Sequence, residues 1–385
     1  MSKLTTETAL RVATALSFAL AIINHLLPPK AFAATQLLYD YHFGITRRGL
    51  AGEMINWFTS APISVAEINT VSAVISLLGA GALYLFLSRD LRVGTAGYLL
   101  MILAFNSFAF ASFVGNTGYL DALLLALALL GMAALSAASI PGLIARLLIV
   151  VVGVMIHENM LPYFATLMGL EIWLTTGHRR WALLRAGAPV IAGFLALIVI
   201  GLFAQNTPDQ ASAFTAYLQN KAGFTLDVTS TDVSGRSIGA NFDLMSDMRH
   251  TKKYWGWVLF DGVPLAIMSL WLIWLNLRLL GARGGSLTAL LVVGAIIAPL
   301  SLNIIAFDVV RFGVASVLVG FVTLALMCRQ IDGAAARLQQ TLTWPHALIV
   351  LILNANIFTM QINEGSGHVT QFPWIMLRQL QWLGP

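Results

Sequence analysis

The sequence predicts an all-α, polytopic integral membrane protein with about eleven transmembrane helices, on three observations. Of its 385 residues 58% are hydrophobic and only 10% charged, against about 25% charged in soluble domains. Apolar runs long enough to cross ~30 Å of hydrocarbon recur along the whole chain. Arginines gather in the short connections between alternate runs, where positive residues are held on the cytoplasmic side. The same composition excludes a soluble domain. A single cysteine, Cys328, can form neither an intramolecular disulfide nor a cysteine metal motif. The net charge of +5 restates the arginine bias, and no basic tract is interleaved with aromatics, so nucleic acid is not an expected partner.

Taken in order, the runs predict spans over 9–27, 69–87, 93–114, 119–138, 142–157, 160–176, 183–204, 256–277, 285–306, 309–328 and 345–361. Pro28 and Pro29 end the first helix, because proline cannot continue the hydrogen-bonded ladder. Ala31-Phe32-Ala33 resembles a signal-peptidase site, but the first span is read as uncleaved. With the N-terminus inside, the inner connections carry Arg89, Arg92, Arg146, Arg179, Arg180, Arg185, Arg278, Arg283, Arg329 and Arg337. The short outer connections carry only Arg311. The expected topology is therefore N-in, C-out, in a bacterial inner (plasma) membrane. It divides the chain into a module over 1–204 with a functional first outer loop at 28–68, an outer loop or lid over 205–254, and C-terminal helices with an outer tail over 255–385.

The densest polar patch lies in that first outer loop, over Leu37–Phe58. Asp40, His42, Arg47, Arg48 and Glu53 are interleaved there with Tyr39, Tyr41, Phe43 and Trp57. Charges near hydrocarbon are costly and persist where they pair, face water or act on a substrate. Part of the loop reads as an interfacial helix. Leu50, Met54, Ile55, Trp57 and Phe58 would lie on the bilayer, with Arg47, Arg48 and Glu53 turned to water. Grip on lipid headgroups would account for the arginines. It would not require Asp40, whereas a carboxylate and an imidazole beside paired arginines suit acid–base chemistry on a phosphate-bearing substrate.

Other polar residues recur at the outer ends of predicted spans. The glycine-punctuated turn 114–119 leads through Tyr119 to Asp121, one turn into a helix, where it either serves a site or complements the helix dipole. His157-Glu158 joins the fifth and sixth spans. Adjacent residues are a poor metal pair, so a hydrogen-bonded turn is the expectation there, and a divalent metal (Mg or Mn) stays an open possibility. Lys252 and Lys253 precede Tyr254 and Trp255 at a membrane boundary, either as an aromatic belt or as cations for a lipid phosphate. Asp308 and Arg311, at i and i+3, can form an ion pair. No internal repeat favours an inverted-repeat transporter.

Tyr39-Asp40-Tyr41-His42-Phe43-Gly44 with Arg47-Arg48-Gly49, then Gly118-Tyr119-Leu120-Asp121, His157-Glu158 and Asp308 to Arg311, within this span pattern, resemble the GT-C superfamily of membrane glycosyltransferases. The resemblance is architectural and covers mainly residues 1–204. It implies transfer of a sugar from a polyprenyl-phosphate donor to a glycan or glycolipid acceptor on the extracytoplasmic face, with Asp40 as base or metal ligand. His42, Arg47, Arg48, Tyr119, Asp121, His157, Glu158, Lys252, Lys253, Asp308 and Arg311 would contact the substrates. A clear Asp-x-Asp and a large soluble outer domain are both missing from the sequence. An envelope polysaccharide polymerase or ligase, and a lipid or solute transporter (flippase), are the alternatives.

Overall fold

The computed structural model describes residues 3–91, 94–177, 180–203, 208–235, 238–281, 285–306 and 308–354. Arg92, Arg179, Arg283, residues 355–361 of the last predicted span, the outer tail and the side chain of Lys253 lie outside the described residues. Among the described residues the regular structure is helical, with turns and loops between the helices and one isolated parallel bridge between Ile63 and Ala222.

Among the described residues six helices are long and apolar enough to cross a membrane: Thr6–His25, Val65–Asp90, Ala182–Phe203, Val263–Leu280, Gly285–Ile304 and Val309–Gln330. A seventh span results if Thr95–Phe105 and Phe108–Gly115, bent by 48°, are taken together. The protein is thus a multi-pass, all-α membrane protein by length and composition. The remaining predicted spans also fold as helices, but shorter ones. Asp121–Ala134 and Ile140–Ile156 have 14 and 17 residues, about 21 and 26 Å at ~1.5 Å per residue, below the ~30 Å core. The run 160–176 is divided by a π-turn at Leu161–Ala165. Trp344–Asn354 covers the described part of the eleventh run.

The helices form two compact units, each assembled from separate stretches of chain. One comprises residues 3–25, 84–115 and the described residues from 244 onward. Its first helix packs against Thr95–Phe105 and Phe108–Gly115, with Phe18 meeting Tyr84, Phe105 and Phe110 at ring-centroid distances of 4.7, 5.3 and 5.9 Å. Its most enclosed helix is Val309–Gln330, against which Val263–Leu280 lies. Gly320 permits that approach, since a Cβ there would come within 2.9 Å of Leu272. The bared carbonyl of Gly320 accepts from Asn276 Nδ2 at 3.2 Å. At one end of this unit the Asp90 carboxylate lies between Arg89 and Arg329, at 2.7 and 3.2 Å.

The second unit comprises residues 26–83 and 116–243. Ala182–Phe203 packs on Ile140–Ile156 and Thr166–Thr176 while exposing Ile191, Phe194, Leu195, Ile198 and Leu202, an apolar face suited to lipid. Ile140–Ile156 starts where its sequence directs. Ser139 accepts from Gly142 N at 3.0 Å, and Pro141 occupies the first turn, where its missing N–H costs nothing.

That helix corrects one sequence expectation. Arg146, read above as a cation of an inner connection, is fully buried. It donates to both oxygens of Glu171, at 2.8 and 2.9 Å, and to the carbonyls of Gly142 and Leu135, at 2.8 and 3.0 Å. Desolvating a guanidinium is tolerable only with extensive pairing of this kind, so Arg146 is a structural ion of the helix packing and carries no information on membrane orientation.

Candidate functional site

In the second unit the first loop is built inward from its apolar residues. After the short helix Ala31–Gln36, the side chains of Leu37, Leu38 and Tyr39 are wholly buried, which draws the next residue, Asp40, in with them at 1% exposure. Tyr39 is held by a 2.8 Å hydrogen bond to the Ser230 hydroxyl and by edge-on contact with Phe214. Residues 41–44 then turn, with Gly44 N donating to Tyr41 O at 3.0 Å.

The helix Gly49–Asn56 follows and docks on this segment through its glycines. A Cβ on Gly52 would lie 2.0 Å from the Tyr39 carbonyl oxygen, so only glycine allows the contact. Arg48 precedes the helix in the left-handed region, at φ 64°. It alone combines a side chain with positive φ among the described residues, a conformation costing about 1 kcal/mol or more.

Asp40 collects four donors. His42 N reaches Oδ1 at 3.1 Å; Asn56 Nδ2, Tyr217 OH and Lys221 Nζ reach Oδ2 at 3.1, 2.7 and 2.7 Å. Lys221 Nζ also donates to Leu38 O at 2.8 Å. Burial opposes ionisation of this carboxyl, but hydrogen bonds from Lys221, Tyr217, His42 and Asn56 outweigh it and hold its pKa below the usual carboxylate value. Tyr217 shifts upward, through desolvation and through its bond to Asp40, and so remains a phenol donor. The His42 ring stacks flat on Tyr217 at 4.3 Å; its contact with Asp40 is made by the backbone N–H alone.

A second network occupies the other end of the Gly49–Asn56 helix. Arg48 forms a two-pronged ion pair with Glu158, through Nε to Oε2 at 3.1 Å and through Nη2 to Oε1. His157 Nδ1 lies 3.5 Å from Glu158 and accepts from Asn159 N at 3.1 Å. Asn159 Nδ2 donates to Asp121 Oδ1 at 3.1 Å and to Tyr163 OH at 3.3 Å. Desolvation again resists the charge on Glu158, and the Arg48 guanidinium overcomes it, so this carboxyl is strongly lowered. The expected hydrogen-bonded turn at His157-Glu158 is present.

The interfacial-helix reading is corrected in two places. Arg48, expected in water, turns inward to Glu158 with its side chain only 12% exposed, and Ile55, expected on the bilayer, is buried. Trp57 and Phe58 do project, at 70% and 83% exposure. The reason is Glu158, a partner 110 residues away that a local reading could not pair with Arg48.

The structure thus brings Arg48, Asp121, His157 and Glu158 into one network and links it, through one eight-residue helix, to Asp40. Arg47 is half-buried nearby in sequence, and Tyr119 lies with its ring 6.3 Å from Phe32. Lys252, Asp308 and Arg311 belong to the other unit. There Lys252 is exposed at the start of a helix capped by Thr251. Asp308 caps Val309–Gln330 and pairs with Arg311 at 3.1 Å, the ion pair the spacing allows.

Tyr217, Lys221, Asn56 and Asn159 escaped the sequence reading. One signal existed for two of them. Phe214, Leu218 and Lys221 are buried at i, i+4 and i+7 of Pro208–Lys221, with Tyr217 beside them, so the lysine sits on the apolar stripe of an amphipathic helix. A divalent metal is not matched by these residues. Asp40 and Glu158 spend their oxygens on hydrogen-bond donors, and no group of three His, Cys, Asp or Glu is placed to hold an ion among the described residues.

Comparison with protein-family models, curated proteins and solved structures yields no match for this chain.

Proposed function

We propose that this protein is a membrane glycosyltransferase. It would take a sugar from a polyprenyl-phosphate donor and pass it to a hydroxyl of a glycan or lipid-linked acceptor on the extracytoplasmic face of a bacterial inner membrane. The topology expected from the sequence, about eleven crossings with the N-terminus inside and a GT-C-like arrangement, belongs to this proposal. The observation that carries it is the pair of polar networks at the two ends of Gly49–Asn56, one of them held by Arg48 in the left-handed region.

A sugar phosphate brings its own leaving group. The protein must therefore position the donor, neutralise the phosphate and accept the acceptor's proton. Arg47 and Arg48 meet the phosphate, and Glu158 fixes the angle of the Arg48 guanidinium. Asp40 is the proton acceptor once an acceptor hydroxyl replaces Tyr217 or Lys221 at Oδ2, because three donors there leave that oxygen too weak a base. Trp57 and Phe58, exposed at the end of the same helix, lie against the bilayer from which the polyprenyl chain arrives.

Turnover of purified protein in liposomes with a panel of polyprenyl-phosphate sugars tests this reading. One donor is consumed, and Arg47→Ala raises KM for it about tenfold or more, since a charge-assisted phosphate contact is lost. Consumption of none, with intact folded protein, overturns it.

A further inference from the structure

Beside Asp40 the second unit contains a cavity of about 320 Å³, lined by Asn56, Thr59, Ile63, Tyr217, Asn220 and Lys221. We propose that this cavity binds one neutral, hydroxylated ring, a single sugar unit. The inference deepens the transferase reading, because Asn56, Tyr217 and Lys221 are also the donors to Asp40.

Size is the first argument. Small-molecule sites run from roughly 300 to 1,000 Å³, so this volume, at the lower limit, holds one ring and not an extended glycan or a polyprenyl chain. The second is charge. Lys221 is the cation in the lining, and its ammonium is neutralised by the Asp40 carboxylate at 2.7 Å. An anion would find no uncompensated charge there. A metal ion would find no carboxylate in the wall. An apolar guest would strip water from two amides and a hydroxyl without replacing their hydrogen bonds, at a cost for each.

The third argument is the kind of polar group. Asn56 and Asn220 each carry a carbonyl and an NH₂, and the Thr59 hydroxyl, whose hydrogen goes to Ile55 O at 3.0 Å, is left as an acceptor, so the wall contains both donors and acceptors. Sugar hydroxyls are themselves both donor and acceptor and satisfy such a wall in either sense. Asn56 has one N–H committed to Asp40 and keeps its carbonyl oxygen for a guest. Lys221, with two hydrogens placed on Asp40 and Leu38, keeps a third. A ring seated here lies one residue from the carboxylate through each of three side chains, so its binding is coupled to the state of Asp40.

Asn220 is the residue on which to test this, being exposed and outside the Asp40 bonds. Free glucose, galactose, mannose, arabinose and N-acetylglucosamine are titrated against the full-length protein in nanodiscs, with tryptophan fluorescence as readout. Saturable binding of at least one is expected, weakened about fivefold to tenfold by Asn220→Ala through loss of one or two hydrogen bonds, and abolished by Asn220→Trp, which fills the mouth. The inference is overturned if none of the five binds, or if both variants bind as the native protein does. Because no turnover is read, binding without any donor consumption keeps the sugar cavity and sinks the transferase. Donor consumption insensitive to both variants does the reverse.

Discussion

The second unit contains two buried ion pairs that differ in every respect except burial. Arg146 and Glu171 join two helices, with side chains 0% and 2% exposed, and the carbonyls of Gly142 and Leu135 take up two more guanidinium hydrogens. Lys221 and Asp40, at 5% and 2%, join a helix to a loop 181 residues earlier, beside a cavity and with polar neighbours that a guest could replace. Burying charge is expensive in both places. What separates them is whether anything can enter. The first pair is closed on all sides and holds helices; the second is open along one wall and can exchange its partners.

The sharpest break between them is expected in stability. Arg146→Leu removes the guanidinium that pairs with the buried Glu171 and should cost about 3–5 kcal/mol, measured by denaturant unfolding in detergent. The double variant Arg146→Met with Glu171→Leu should recover most of that loss and retain function, because an apolar pair of similar volume can replace a closed ion pair. A double variant as unstable as the single one would show that the pair has a role beyond packing.

Next in size is the matching experiment on the open pair. Asp40→Asn should lower turnover about 10²-fold or more, as loss of a proton acceptor does. Asp40→Asn with Lys221→Met should regain stability and none of the turnover. If the double variant recovers both, Asp40 is a second structural ion and the proton acceptor is to be sought at Asp121.

The smallest effect concerns pH. Asp40 titrates below its ordinary value of 3.8 in the folded protein. Its stabilisation is therefore full above the ordinary carboxylate range and is lost as pH falls through that range towards the folded pKa. Glu158, lowered by Arg48, adds in the same direction. The melting temperature should be flat near neutrality and fall below about pH 4, less steeply in Asp40→Asn with Lys221→Met. Equal slopes in the two proteins would remove Asp40 from the titration.

Both regions show how far a linear reading reaches. Hydrophobic runs are local, so helix after helix forms where the sequence places it, and Asp308 with Arg311, three residues apart, could be paired on paper. Asp40, Arg48, Asp121, His157 and Glu158 stood out because charge is rare in such a chain. Their partners did not. Lys221 lies in a hydrophilic stretch, where only its place on the buried stripe of Pro208–Lys221 sets it apart, and Asn56 and Asn159 are uncharged. Arg146 was misplaced for the complementary reason: a span-end arginine looks the same in sequence whether it meets water or Glu171.

The distance between Asp40 and Lys221 also sets an order of assembly. At roughly 5–20 residues per second, the ribosome needs about 10–40 s to make the 181 residues between them. Throughout that interval Asp40 has only its own neighbourhood to draw on, the His42 amide and the Asn56 side chain. Its Oδ2 stays open to water until Pro208–Lys221 has been made and has folded back. A nascent chain stopped before residue 208 would carry all the first-loop residues and still leave this carboxylate wet, so enclosure of Asp40 comes only with the helix Pro208–Lys221 that supplies Tyr217 and Lys221.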